Sequence, residues 1–529
     1  MPAYRGLLIG LGMALAAVPA FAQPAASQTP TATAATPKAP AKPGPQRVKV
    51  AQAAPAAAPQ PAARLTANLA AQPGAPHTLA EALAITYSSQ PALLAERANL
   101  RSVDEKVPQA LAGWRPTVIV AGNTGYGDGL GRTYSNLSGS WIKTRTDRLI
   151  GVAQATLSQP LYTGGKVQAN VNAAKNQVMA ERANLLDQEQ NSFLAVVTAY
   201  VGAGTANSPP SLGVIQAQQT LALNINNEQV LAKQLQATND RFRVGEITRT
   251  DVAQAEAALA GATAARQTSE GNLQTARATF QQVVGYLPPA NLVEPQPLSL
   301  PVKTEEEATA LAARNNPKVI ASLFNDAAAK DQVDVAFAQL MPQVSLQGQI
   351  FQQNNSGARS VASNGYQAVV NLSVPIYQGG AEYSAVRQAR QTEQQKKNQL
   401  DDARRSAVQN ATQAWEQFAA AKAAAQSTRA AIQANTVALE GVEREAIVGS
   451  RTTLDVLNAQ QALLNSQTQL VQNLAQLVAT SYQVAAAVGR LTARDLHLPV
   501  PLYDDTAYYQ AVKDKWVGLG DYATDQPGR

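Results

Sequence analysis

The chain has 529 residues, a formal net charge of +6, two histidines and no cysteine. This length is too great for one ordinary hydrophobic core, and 15% charged with 5% aromatic residues favours a repetitive architecture of long helices packed through small side chains. The composition excludes disulfide bonds and a lipidated cysteine, supports neither a histidine-based triad nor a zinc cluster of histidines, and offers no basic block for nucleic acid.

The first segment, 1–22, is predicted to be a secretory signal peptide. Arg5 precedes an apolar run over 6–18, and Ala20-Phe21-Ala22 has the small-residue pattern of a cleavage site. The run is shorter than the roughly 20 residues of a spanning helix, so we favour cleavage over an uncleaved anchor. Alanine, proline, threonine and glutamine without periodicity then predict a disordered linker over 23–76.

The rest of the chain contains the same four sequence blocks twice, in the same order. "TLAEALAITYSSQPALLA" from Thr78 aligns with "TEEEATALAARNNPKVIA" from Thr304, "WRPTVIV" with "LMPQVSL", "PLYTGG" with "PIYQGG", and "VGEITRTD" with "VGSRTTLD". Four differently composed blocks in one order indicate an internal duplication rather than shared low complexity. The first structural repeat is predicted at 77–300 and the second at 301–500, followed by a C-terminal tail at 501–529.

Each repeat is predicted to contain a short helical segment, a strand pair and a long helical hairpin. Strands of about ten residues with one polar face are typical of transmembrane β-barrels. After each double glycine, apolar residues recur at spacings of three and four over some 65 residues, which as a helix would span about 100 Å. The strand pairs are placed at 116–162 and 342–377, and the hairpins at 166–285 and 381–489.

The predicted fold is therefore mainly α with a small β part, and its four strands per chain cannot close a barrel alone. Beyond the signal no stretch approaches a transmembrane helix in length, so membrane insertion would use strands. Lipid does not tolerate an open sheet edge, so several chains must share one barrel. Two chains would supply eight strands, and three would supply twelve around a lumen lined by glutamine and serine. The sequence therefore requires an oligomer but does not determine how many chains it contains.

In combination, the duplicated blocks resemble the TolC family of outer-membrane efflux and secretion ducts, over roughly 78–517. The resemblance implies a homotrimer with one twelve-stranded barrel in the outer membrane, continuous with an α-barrel tunnel that crosses the periplasm. Its implied partners are outer-membrane lipid, a periplasmic membrane-fusion adaptor and an inner-membrane pump of the RND or ABC type.

The predicted function is a passive exit duct of a tripartite efflux or type I secretion system, carrying drugs or polypeptides. It would have no catalytic residues, cofactor or metal, and most of the chain would lie in the periplasm. The alternative is a trimeric coiled-coil surface protein or adhesin anchored by a small barrel. That alternative predicts strands at one end of a stalk, whereas this sequence predicts a strand pair in each half.

The resemblance also implies a gate at the periplasmic end of the tunnel. Asp455 would be a constricting acid, and Arg451 would link towards Thr250 on the partner hairpin. The family's second acid is Asn458 here, and the tyrosine that partners Asp251 in the family is an alanine. A single acid per chain would weaken anion repulsion and divalent-cation affinity. Thr250 and Asp251 are alternatively helix caps beside a tight turn, and the two roles can coexist.

The hairpin tips and the strand-to-helix junctions are two further predicted sites. The family's adaptor docks at the tips, and the motif shared by both favours docking over a purely structural turn. The predicted tip residues are Val244, Gly245, Thr248, Val448, Gly449 and Thr452. At each junction the proline is expected to stop the ladder, the tyrosine to lie at the membrane interface, and the glycines to allow the turn. The junction residues are Pro160, Tyr162, Gly164, Gly165, Pro375, Tyr377, Gly379 and Gly380.

Three segments have no place in the repeat. "GYGDGLG" from Gly125 is expected in a flexible external loop, because no long amphipathic helix follows it as a phosphate site would require. The segment 202–214, which contains Pro209-Pro210, is expected to loop out of the first long helix as a protrusion. The tail from Leu498 is expected either to pack, at least in its first part, or to extend disordered.

Overall fold

The computed structural model describes residues 75–202, 212–355 and 360–520. The predicted signal peptide and all but the end of the predicted linker lie outside these ranges. The first repeat contains, in chain order, α1 (Leu79–Ser89), α2 (Pro91–Asp104), α3 (Lys106–Leu111), β1 (Thr117–Ser135), β2 (Ser140–Tyr162), α4 (Lys166–Val201), α5 (Val214–Arg243) and α6 (Arg249–Val284). A capping box of Thr78 and Glu81 starts α1.

The second repeat follows the same order. It contains α7 (Glu305–Asn315), α8 (Pro317–Phe337), β3 (Gln343–Asn354), β4 (Ala362–Ser373), α9 (Ala381–Ile447) and α10 (Thr453–Ala487), and the tail adds α11 (Ala507–Val512). Pro91 and Pro317 occupy the first turn of α2 and α8, where the missing amide costs no helical hydrogen bond. The prediction of a mainly helical fold with a small β part is confirmed, and a strand pair occurs in each repeat.

The two long helical hairpins differ at one place. Helix α9 runs unbroken for 67 residues, about 100 Å. The corresponding path in the first repeat ends at Val201 and resumes at Val214. A methyl group on Gly213 would lie 1.9 Å from the Gly202 amide nitrogen, so the two helix ends abut. Pro209 and Pro210, on which the predicted protrusion depends, lie outside the described residues.

The four strands form one antiparallel sheet in the order β1-β2-β3-β4. β1 pairs along its whole length with residues 140–158 of β2, up to the turn at 136–139. β3 pairs with β2 only as far as Gly151, so the outer part of the first hairpin extends beyond the second. Because opposite residues of an antiparallel pair share a face, the register assigns every strand residue to one of two faces.

The glycine-rich segment "GYGDGLG" was expected in a loop, and that prediction is wrong. Residues 125–131 lie inside β1 and pair with 144–150 of β2. Backbone pairing needs no side chains, and the four glycines remove the alternation that reveals a strand. The chain instead turns at 136–139, where Gly139 adopts a φ of 63°.

The two prolines of the junction motif do not act as predicted. Pro160 stays in the ladder opposite Ser345, and the register shifts only between Pro160 and Tyr162. It lies beyond the last residue of β2 that pairs with β1, so β2 is flanked there by β3 alone and tolerates the missing amide. In the second repeat β4 ends at Ser373, so Pro375 follows the strand rather than stopping it.

The main hydrophobic core lies where α1, α4, α6 and α10 meet. Phe193, Tyr200 and Phe280 are fully buried there. The Tyr200 hydroxyl lies 2.9 Å from the His77 carbonyl oxygen and 2.8 Å from that of Val293, so it ties both ends of the first repeat to α4. No helix in the described ranges combines the length and hydropathy of a membrane-spanning helix.

Candidate functional site

The first hairpin turns at a glycine that follows α5. Gly245 adopts a φ of 83°; its amide donates to the Phe242 carbonyl at 3.0 Å, and the Glu246 amide donates to the Arg241 carbonyl at 3.0 Å. This pair of bonds is the Schellman ending of a helix. The left-handed conformation explains why the position is glycine, since a side chain would be strained there.

The second hairpin turns in the same way after α9. Gly449 adopts a φ of 78°. Its amide donates to the Ala446 carbonyl at 3.3 Å, and the Ser450 amide donates to the Glu445 carbonyl at 3.0 Å. The motif shared by the two tips therefore specifies one backbone geometry twice.

Both returning helices begin with a capping box. The Thr248 amide donates to Asp251 Oδ2 at 2.9 Å, and the Thr452 amide donates to Asp455 Oδ2 at 2.9 Å. In return, the amides of Asp251 and Asp455 donate to the threonine hydroxyls at 3.4 and 3.2 Å. Hydrogen bonds from the hydroxyl and amide of Thr248 lower the pKa of Asp251, and those from the amide and hydroxyl of Thr452 lower that of Asp455. Both acids therefore cap helices and are ionised at neutral pH.

An ion pair closes each tip. At the first tip the arginine precedes the turn and the glutamate follows it, and at the second tip the order is reversed. Arg241 Nε lies 2.9 Å from Glu246 Oε2 at the first tip, and Arg451 Nε lies 2.9 Å from Glu445 Oε2 at the second. The hydrogen bond and charge of Glu445 raise the pKa of Arg451. In this single chain Arg451 is therefore bound within its own tip and not by Thr250, which is exposed in the first turn of α6. The sequence interpretation missed both glutamates, although an opposite charge five or six residues away across a turn is a detectable signal.

The tips also present apolar side chains to solvent. Val244 is 72% exposed and Val448 is 78% exposed. Phe242, Ile447 and Leu454 are exposed beside them. Asn458 lies one turn beyond Asp455, on the same face of α10, and is also exposed. A paired apolar surface at a helix turn is a feature of protein interaction sites.

The strand-to-helix junctions depend on left-handed glycines. The φ angles are 65° at Gly164, 88° at Gly165, 71° at Gly379 and 83° at Gly380, and the second glycine of each pair caps α4 or α9. The two junctions differ in their surroundings. A methyl group on Gly164 would lie 2.5 Å from Met341 Cβ, whereas one on Gly379 would meet nothing within 4 Å. Tyr162 and Tyr377 both remain exposed.

The sheet has one polar and one apolar face. On the polar face Gln349 donates to Gln154 at 2.9 Å and Gln367 donates to Gln349, so amides link three strands. The opposite face carries exposed apolar residues along all four strands, namely Val118, Val120, Tyr126, Leu149, Leu157, Leu346, Ile350, Tyr366, Val370 and Leu372. Beyond Tyr126 the apolar face carries the Asp128–Arg145 ion pair, and Ile119 and Val369 are exposed on the polar face. The apolar surface is therefore continuous only in the part of the sheet between the junctions and Tyr126.

Two buried acids were not anticipated from the sequence. Asp104 is 1% exposed and Glu189 is 7% exposed. Burial raises the pKa of each to about 7, although the Ala493 amide donates to Glu189 at 2.6 Å. Neither has a local sequence signal, because residues distant in the chain bury them. Over the described ranges, no three His, Cys, Asp or Glu side chains form a group suited to a metal ion.

Comparison with known proteins identifies relatives over most of the chain. The family described as "Outer membrane efflux protein" matches residues 85–286 and 309–490. The outer membrane efflux protein BepC of Brucella suis biovar 1 (strain 1330) is 34% identical over 456 residues, covering 85% of this chain and 94% of that protein. The outer membrane protein TolC of Escherichia coli (strain K12) is 25% identical over 429 residues, covering 77% of this chain and 81% of that protein. The crystal structure of VceC from Vibrio cholerae superposes with a TM-score of 0.65 at 21% identity, covering 78% and 96% of the two chains.

Proposed function

Because this chain belongs to the outer membrane efflux protein family, we propose that three copies of it form one exit duct. The protein is an outer-membrane channel whose helices lie mainly in the periplasm, and it is not an enzyme. In the proposed trimer the three sheets close into a twelve-stranded barrel. The long hairpins continue the barrel as a tunnel towards an inner-membrane pump.

The open sheet is the observation that carries this proposal. β1 and β4 are its edges, and unpaired edge groups cannot remain exposed to lipid. Edge-to-edge closure with further copies would satisfy them. The face bearing Val120 and Ile350 would then meet lipid, and the face bearing Gln154, Gln349 and Gln367 would line the lumen.

We place the gate at the second tip. In a trimer the three Asp455 carboxylates would form a ring of negative charge, and the Arg451–Glu445 pair would hold each tip in its turn. In the single chain hydrogen bonds from the amide and hydroxyl of Thr452 lower the pKa of Asp455, which opposes the rise that repulsion within the ring would cause. Its repulsion would favour opening, and the ion pairs and the packed helices would oppose it.

Planar-bilayer recording of the purified trimer tests the gate. Asp455→Asn keeps an oxygen for the cap and removes the charge, so cation selectivity should fall. Glu445→Gln releases Arg451 and should increase the open time. The matched controls at the first tip are Asp251→Asn and Glu246→Gln, which should leave the selectivity unchanged. Equal effects at both tips would refute the assignment of the constriction to Asp455, and absence of conductance in every variant would refute the duct.

The apolar tips are proposed to bind the periplasmic adaptor. Val244 and Val448 project from turns of one geometry, so an adaptor with repeated subunits could use one binding mode at both tips. Val244→Asp and Val448→Asp should weaken binding of the purified adaptor without changing conductance. Normal binding by the double variant would exclude these valines from the docking site.

For the cargo we favour small molecules over polypeptides, because the relative at 34% identity is named an efflux protein. Deletion of the gene should then increase sensitivity to hydrophobic drugs and leave the secreted proteins unchanged. Complementation with Asp251→Asn, the variant expected to conduct normally, is the control for expression. Loss of one secreted protein without drug sensitivity would instead assign the chain to a type I secretion system.

A further inference from the structure

The C-terminal tail follows α2 and α3 towards the sheet. The Tyr503 amide donates to the Tyr87 hydroxyl at 2.9 Å, and the Tyr508 hydroxyl lies 2.9 Å from Glu105 Oε1. Val512, at the end of α11, is 2% exposed. The contacts advance from residue 87 to residue 105 as the tail advances from residue 503 to residue 508, so the tail runs parallel to this part of the chain.

Arg115 holds residues 515 and 516 of the tail at the base of the first strand. Its guanidinium donates to the Lys515 carbonyl at 2.7 Å and lies 4.7 Å from the centre of the Trp516 ring. Arg115 precedes the first residue of β1 by two positions, a distance of about 7 Å in an extended chain. Trp516 therefore lies at the level where the apolar face of the sheet begins.

Beyond this contact the tail exposes apolar side chains. Trp516 is 66% exposed, Val517 is 87% exposed and Leu519 is fully exposed. The Lys515 ammonium donates to the Gly520 carbonyl at 3.0 Å, so 515–520 form a closed loop that displays these three side chains. Earlier in the tail Val512 is buried and Tyr503, Tyr508 and Tyr509 are half-buried, whereas the three apolar side chains of this loop are exposed.

We propose that the loop 513–520 binds the phospholipid headgroup region of the periplasmic leaflet of the outer membrane. Trp516 has the amphipathic ring that prefers a membrane interface, and Val517 and Leu519 would enter the acyl boundary. Lys513 and Lys515 would face anionic headgroups. The loop lies at the level where β1 begins, so the lipid that would cover the apolar face of β1 would also reach the loop. In a chain without cysteine, this contact supplies a membrane attachment that lipidation cannot.

A second copy of the chain is the competing occupant of this surface, because β1 is an edge strand that the proposed trimer would pair with a neighbour. The two occupants differ in a measurable way. A subunit would bury Val517 away from lipid, whereas a membrane would bring it within reach of a lipid-borne quencher. Lys513 and Lys515 outnumber Asp514 in the loop, so its net positive charge favours anionic phospholipid headgroups over a second copy.

The absence of cysteine allows one fluorophore to be placed at single positions of the full-length trimer. Three valines with comparable exposure serve as sites, namely Val517 in the loop, Val120 on the apolar face of β1 and Val437 in α9, at 87%, 80% and 66% exposure. Each is replaced by cysteine and labelled with a polarity-sensitive dye. The trimers are reconstituted in vesicles of phosphatidylethanolamine and phosphatidylglycerol that carry nitroxide lipids.

Nitroxide near the headgroup should quench the dye at 517, nitroxide deep in the acyl chain should quench it at 120, and neither should quench it at 437. Arg115→Gln, which removes the tether, should reduce quenching at 517 only. Emission at 517 that matches 437, or that is blue-shifted but unquenched as under a neighbouring subunit, would overturn the proposal. The proposal rests on the outer-membrane placement of the sheet. If the dye is quenched neither at 517 nor at 120, the outer-membrane placement of the sheet is wrong. If the dye is quenched at 120 but not at 517, the placement stands and only the tail contact is wrong.

Discussion

Replacement of Asp104 by asparagine should remove a pH dependence from the docking of the C-terminal tail. Asp104 ends α2 and is 1% exposed, and neither carboxylate oxygen has a hydrogen-bond donor in the described ranges. Burial is the main cause that raises its pKa from the ordinary 3.8 to about 7. Arg182 on α4 opposes this shift, whereas Asp505 on the tail and the adjacent Glu105 reinforce it.

The shift has a definite sign and size. The docked tail keeps Asp104 protonated up to about pH 7, whereas an undocked tail would expose it and restore a pKa near 3.8. Docking is therefore strongest below the lower value, weakens as the pH rises from the lower value to the higher one, and stays constant above it. Each pKa unit is worth about 1.4 kcal/mol, so the full difference is about 4 kcal/mol. Movement of the tail and entry of water would reduce it.

Hydrogen exchange of residues 503–512, divided by the intrinsic rate at each pH, measures tail docking directly. Protection in the wild type should fall between about pH 4 and 7 and level off above pH 7, and Asp104→Asn should be more protected than the wild type at pH 8. Asp514→Asn, an exposed acid of the same tail, is the control and should follow the wild type. If Asp104→Asn keeps part of the pH dependence of protection, the titration of Glu189, whose pKa burial also raises, would account for it. An unchanged slope in Asp104→Asn, or protection that increases with pH, would refute the reasoning.

Three further substitutions test the backbone and the core. Gly449→Ala should destabilise the second tip by about 1 kcal/mol because its φ is 78°, whereas Gly441→Ala inside α9 should stabilise that helix by about 1 kcal/mol. Hydrogen exchange near the end of α9 compares the two, and effects of the same sign would contradict the explanation. Gly164→Ala should lower the yield of heat-resistant trimer on gels far more than Gly379→Ala, since only the first methyl meets a neighbour within 4 Å. Equal yields would show that the cost of either substitution comes from the φ angle alone. Tyr200→Phe should cost about 1 kcal/mol, because it removes the hydroxyl proton that the His77 and Val293 carbonyls share, and the His77 carbonyl keeps only the Val293 amide as a donor. Unchanged exchange at the start of α1 would exclude that role.

Local features of the fold were predictable because short-range interactions create them. Thr248 and Asp251 are three residues apart, which is the spacing of a capping box. Gly245 and Gly449 follow helices at the point where a left-handed residue satisfies the last carbonyls. The duplication was visible because these local signals recur in one order.

Features that depend on distant residues were predicted poorly. The strand over 125–131 is created by pairing with β2, and its glycines leave no alternation to detect. Pro160 remains in the ladder because β1 stops short of it, which its own sequence does not indicate. In the single chain Arg451 pairs with Glu445 across its own turn, which the resemblance did not indicate, and its link to Thr250 in the trimer stays a prediction.

By itself the sequence determined the order of elements, the turns at both tips, the glycine junctions and the need for more than one chain, because helix periodicity, capping and strand edges depend on near neighbours. Only the tertiary structure decided the length and register of the first hairpin, the burial of Asp104 and the course of the tail to Arg115. The first hairpin pairs residues up to 41 positions apart, and the tail reaches Arg115 through Lys515, 400 positions away. The free energy of these contacts depends on surfaces that meet only after the chain has folded.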